Sequence, residues 1–133
     1  MKSIFLALAL IATGAQAADE SDNNPCDAVE NDVQTLECSL YSKTTAEQLL
    51  KENFEGLLER MKTQYPDNKA QLTALTGQLL NAEQLWIKSR DADCAIAPFP
   101  AAVGSKAYNI DLNDCLASKS DERSEFLESI GQE

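Results

Sequence analysis

The run NKAQLTALTGQLLNAEQLWIKSRDADC, residues 68–94, decides the fold. Within it Leu72, Leu75, Leu79, Ala82, Trp86, Ser89 and Asp93 recur at alternating spacings of three and four. That is the periodicity of one helix face, and it predicts the seam of an antiparallel helical pair. The partner helix lies upstream. From Asp32 onward, Val33, Leu36, Leu40, Leu50, Phe54, Leu57, Leu58, Met61 and Tyr65 recur at helical spacing. Two adjacent β-branched residues make Ser42–Thr45 a weak point where a kink is expected. Tyr65-Pro66-Asp67-Asn68 joins the two helices, because a residue before proline avoids helical geometry. Gly77 inside the second helix costs up to about 1 kcal/mol relative to alanine, and a close helix approach would account for it.

Downstream, Ala97-Pro98-Phe99-Pro100 breaks the second helix and a loop runs through Gly104-Ser105. A short third helix is expected over Tyr108–Lys119, with Leu112, Cys115 and Leu116 on one face. Ser120 then reads as the N-cap of a last helix, with Asp121 and Glu122 in its first turn and Gly131 closing it. Phe126, Leu127 and Ile130 supply its apolar side. No stretch alternates as a strand does, and there is no internal repeat. The fold class is therefore all-α. It is a small helical bundle in which a long antiparallel helical hairpin carries a disulfide-tethered C-terminal helical unit.

Compartment follows from the N-terminus and the cysteines. Met1–Ala17 reads as a signal peptide: Lys2 supplies the positive start, Ile4–Ala12 the apolar run, and Ala15-Gln16-Ala17 the cleavage pattern. The run is too short to span a bilayer, which takes roughly 20 apolar residues. Residues 18–25 read as a flexible acidic arm and 26–133 as one domain. Cleavage near Ala17 places the protein in the periplasm or outside the cell. The four cysteines, Cys26, Cys38, Cys94 and Cys115, all lie beyond that point, and an even count in an exported chain implies two disulfides. Three connectivities exist, and the sequential one is preferred. Pro98, Pro100 and Gly104 let the chain return from Cys94 to Cys115. A continuous helix would hold Cys26 and Cys38 about 18 Å apart. A disulfide between them therefore requires a break, with Asp32 as the N-cap from which the helix restarts. A structural zinc site is a poor alternative, since the chain has no histidine and no CxxC pair.

The formal net charge is −11, and loss of the signal peptide removes only Lys2, leaving −12. So acidic a chain lacks the basic residues that release counterions from nucleic acid, and its natural electrostatic partner is a cation or a basic protein. Catalysis is disfavoured. Without histidine there is no imidazole triad, and paired cysteines leave no thiolate. Asp91 and Asp93 diverge by about 160° on a helix. Asp111, Asn113 and Asp114 resemble part of a calcium loop, but the glycine and the closing glutamate are missing. No cofactor and no metal are implied.

Trp86, Arg90, Asp91 and Arg123 read as a structural motif. The aromatic packs in the helical seam, and each arginine bridges or caps near acidic neighbours, Asp91 and Asp93 for Arg90, Asp121 and Glu122 for Arg123. The candidate partner contact is the loop from Pro98 to Tyr108, with Phe99, Gly104, Ser105, Lys106 and Tyr108. A proline-stiffened, tethered loop loses little entropy on binding.

The ordered pattern resembles the lysozyme-inhibitor LprI-like family of small exported bacterial proteins. The similarity runs from about Cys26 to Leu127. It is strongest at Ala82, Gln84, Trp86, Arg90-Asp91 and Cys94, then at Gly104-Ser105 upstream of Cys115, and at Arg123 with Leu127. Gln34, Leu36, Cys38, Ala46, Glu47, Leu50, Phe54 and Leu57 match in the first helix. There Glu47, Lys51 and Phe54 replace the family's usual Asp, Asn and Tyr. The resemblance implies an all-helical fold, a cell-envelope location and inhibition of lysozyme. The expected function is an exported, non-enzymatic binding protein that occludes the cleft of a basic, cell-wall-cleaving enzyme such as lysozyme. The alternative is an immunity or envelope-stress protein with a different partner.

Overall fold

The structure is a computed structural model and describes residues 23–132. The signal peptide expected over Met1–Ala17, and most of the acidic arm, lie outside the described residues. Three helices follow one another: α1, Asp32–Gln64; α2, Lys69–Ile96; and α3, Lys106–Ser129. Among the described residues there is no strand, and no helix is long and apolar enough to cross a membrane.

Each helix starts where a side chain can satisfy its free N–H groups. Asn31, rather than Asp32, caps α1, and its Oδ1 accepts from the backbone N–H of Val33 and Gln34. Asp32 instead falls in the first turn, where its charge meets the positive end of the helix. Asn68 caps α2 and Ser105 caps α3. Helix α1 runs unbroken through Ser42–Thr45, and Thr44 donates its hydroxyl back to the Leu40 carbonyl.

The C-terminal unit is one helix, not two. Ser120 lies in the middle of α3, fully buried. Capping preference yields here to packing, because a small residue is what a close helix approach requires. Ser39 and Ala46 of α1 and Ala117, Ser120 and Ser124 of α3 are all buried. Across this contact Asn113 donates to Ser39 Oγ at 3.1 Å and Asn53 to Ser124 Oγ at 2.7 Å. Farther along, Arg60 donates to the carbonyls of Leu127 at 2.8 Å and Ile130 at 3.1 Å. Residue numbers rise together along both helices, so α1 and α3 run parallel with α2 antiparallel to both. The apolar core, Leu50, Leu57, Met61, Leu79 and Leu127, fills the wider space toward α2, with Leu72, Leu75 and Trp86 packed against it.

The inward stripe of α2 differs from the expected seam. Leu72, Leu75 and Leu79 turn inward, but Ala82, Ser89 and Asp93 are exposed. The stripe continues instead through Glu83, Trp86, Arg90 and Cys94. Gly77 meets no atom within 4 Å of where a Cβ would stand, so no close approach explains it. Disulfides join Cys26 to Cys38 and Cys94 to Cys115, with Cα separations of 4.7 and 5.5 Å. The first pins the turn before α1 to that helix, and the second ties the end of α2 to α3.

Candidate partner-contact site

Two arginines and an aromatic ring hold α2 against its neighbours. The guanidinium of Arg90 lies 5.1 Å from the centre of the Trp86 ring and that of Arg123 lies 5.6 Å from it. Arg123 also sits 5.2 Å from the Phe126 ring. Its Nε donates to Glu83 Oε2 at 3.0 Å, with only 12% and 15% of the two side chains exposed. Arg90 pairs with Asp91 at 2.8 Å and reaches Glu47 of α1 at 3.8 Å. The partners across helices are not the sequence neighbours. Arg123 takes Glu83, forty residues away, instead of Asp121 or Glu122, and Asp93 takes Lys119 at 3.5 Å instead of Arg90. On α2, Glu83 projects toward α3 and Asp93 reaches Lys119, whereas Asp121 and Glu122 point out to solvent. A cleft of about 310 Å³ beside Trp86 is rimmed by Glu47, Lys51, Glu83 and Arg90. Each of these charges has a partner, Glu47 and Arg90 in each other, Glu83 in Arg123 and Lys51 in Glu55, which suits a clamp between helices.

The loop between α2 and α3 is built differently. Pro98 is buried, and beside it the Phe99–Pro100 peptide is cis. Backbone bonds from Phe99 to Ile96, from Ala101 to Pro98 and from Ser105 to Ala102 fold the loop on itself, at 3.2, 2.7 and 3.0 Å. Gly104 has φ of 80°, the left-handed region that glycine enters without strain. Ser105 accepts from the Tyr108 N–H at 3.1 Å and so starts α3. Lys106 is exposed in the first turn, and Tyr108 is half-buried. Of the five residues singled out from the sequence, Gly104 and Ser105 shape the loop, while Phe99 and Lys106 face solvent.

Phe99 is 87% exposed, Val103 86% and Ile96 73%. These are the three most exposed large apolar side chains among the described residues. Ile96 and Val103 were missed on the sequence, where hydropathy cannot separate an outward apolar residue from a core one. The turn-bonded loop, anchored by a buried proline and a disulfide, thus holds Phe99 and Val103 in water, with Ile96 exposed at the end of α2 just before it.

The comparisons agree with this architecture. A family profile described as lysozyme inhibitor LprI matches residues 26–127. The chain belongs to the lysozyme inhibitor LprI family. The crystal structure of a DUF1311 family protein from Pseudomonas putida KT2440 is similar to it, at 39% identity and a TM-score of 0.70. That similarity covers 80% of this chain and 99% of that one. No functionally curated protein matches the chain. The LprI match takes in the clamp, both disulfides and the whole contact loop.

Proposed function

We propose that this LprI-family chain is an exported binding protein that inhibits lysozyme or a similarly basic cell-wall-cleaving enzyme. Signal-peptide cleavage near Ala17 delivers the domain beginning at Cys26 to the periplasm or the medium, where its two disulfides form. The observation that carries the reading is the tethered loop, with Ile96, Phe99 and Val103 held in solvent. Inhibition works by occlusion. The apolar tip enters the substrate cleft, and acidic side chains face the cleft's basic rim. Burying one such side chain is worth about 1.5–3 kcal/mol, so three contribute roughly 4.5–9 kcal/mol against the cost of association, with preorganisation of the loop and charge complementarity adding to them. In this reading the protein is a binder rather than an enzyme, which the pairing of the Trp86-clamp carboxylates with arginines supports.

A lysozyme turbidity assay with the mature, oxidised chain tests the proposal. Clearing of a cell-wall suspension slows in proportion to added protein. Unchanged clearing at a large molar excess, at low and moderate salt, rules lysozyme out as the target.

A further inference from the structure

The negative charge of this protein is unevenly neutralised. On α2 every carboxylate has a partner: Glu83 with Arg123, Asp91 with Arg90, and Asp93 with Lys119. On α1, Glu47, Glu55 and Glu59 pair with Arg90, Lys51 and Lys62, while Glu52 takes only the neutral Gln48 amide and Asp32 and Glu37 near the start have no basic partner among the described residues. Helix α3 is different. Asp111, Asp114, Asp121, Glu122, Glu125 and Glu128 are all exposed, and among the described residues none has a basic partner. Their spacing places them on one outward face about 120° wide, with Ser118 between them and no Lys or Arg. The face extends over about 26 Å of helix. Lys119 and Arg123 of the same helix turn toward α2 instead. The carboxyl of Asp114 is raised above the usual aspartate range, by partial burial first and by the charge of Asp111 second. The one-sided run of six unpaired carboxylates therefore belongs to α3, and the contact loop opens directly into that helix at Lys106.

We infer that the Ile96–Val103 loop and the outer face of α3 form one docking surface for a basic protein, in which α3 lies along the partner's cationic rim while the loop enters its cleft. The inference rests on the inhibitor reading for the identity of the partner, but not for the location of the surface. The two parts have separable duties. Unpaired surface charge steers encounter and sets the association rate, whereas buried apolar contact sets the dissociation rate. The paired carboxylates of α2 and of Glu47, Glu55 and Glu59 on α1 contribute little field at a distance, so the six-carboxylate face of α3 dominates orientation on approach.

The test compares two triple neutralisations of equal charge, D121N/E125Q/E128Q on α3 and E47Q/E55Q/E59Q on α1, with circular dichroism confirming that both fold. Association with a basic lysozyme is followed at low and moderate salt. The α3 variant should associate about tenfold more slowly at low salt, with a flattened salt dependence and an unchanged dissociation rate. The α1 variant should change less than about twofold. Equal slowing by both variants, or none by the α3 variant, overturns the inference while leaving inhibition intact. Should wild-type protein bind no lysozyme, the inhibitor reading fails by itself, and poly-lysine surfaces then serve as the probe. Selective loss of retention by the α3 variant upholds the docking surface, and equal loss overturns it.

Discussion

Replacing Phe99 by alanine separates a contact residue from a folding residue. Phe99 is 87% exposed, so little of its ring is shielded in the free protein and its removal opens no cavity. The substitution should move unfolding free energy by no more than about 0.5 kcal/mol, the usual range for surface changes. In a complex the same ring passes from water into a cleft. Full burial of a large apolar side chain is worth about 1.5–3 kcal/mol, and a central aromatic anchor costs about 2 kcal/mol or more on truncation. At about 1.4 kcal/mol per tenfold, inhibition by Phe99→Ala should weaken about 30-fold, mostly through faster dissociation. Adding Ile96→Ala and Val103→Ala should carry it below detection. The assays are urea unfolding for stability and lysozyme turbidity titration for inhibition. Unchanged inhibition by the triple variant would refute the contact role. A loss of stability as large as the loss of inhibition would refute the separation of contact from folding.

The remaining predictions concern the clamp, the tether, charge and the helix interior. Arg123→Lys keeps the charge but loses the planar stack between Trp86 and Phe126, and should cost about 1 kcal/mol in urea unfolding; an unaltered midpoint would show the stack to be idle. Removing the Cys94–Cys115 bridge as C94A/C115A releases a 21-residue separation and should cost about 3 kcal/mol, with weaker inhibition as the loop loses its anchor. The folded-state pKa of Asp114 lies above its unfolded value, so ionisation destabilises the native state as pH rises through that window. Asp114→Asn should therefore be more stable than wild type at neutral pH, with the advantage fading below the usual aspartate range, where both states hold the proton. Gly77 has open space around its missing side chain, so Gly77→Ala should raise stability by about 0.5–1 kcal/mol.

What the sequence revealed of this fold, and what it hid, follows from the range of the interactions. Leu72, Leu75 and Leu79 announce themselves by local periodicity, and the Pro66 turn by backbone sterics. Ser120 misleads because the property that makes serine a good cap, its small polar side chain, also lets α3 settle against Ser39 and Ala46 of α1. The continuation of the α2 stripe was hidden for a similar reason. Arg90 reads as structural beside Trp86, but Glu83 looks like a solvent position until Arg123 closes on it, and the charged partners from α1 and α3 are not announced by spacing along one helix. At the contact loop, Phe99 stood out because two prolines flank it. Ile96 and Val103 became visible as exposed residues only once the chain's path was known, and so did the one-sided run of unpaired carboxylates on α3.

The proposed activity is inhibition of lysozyme by the mature chain through its tethered loop. The most direct measurement is a turbidity titration of lysozyme with oxidised wild-type protein and with the Ile96→Ala, Phe99→Ala, Val103→Ala triple variant side by side. The account predicts dose-dependent inhibition by the wild type and none by an equally stable triple variant. Equal inhibition by both proteins would contradict the loop, and failure of the wild type to inhibit would contradict the function.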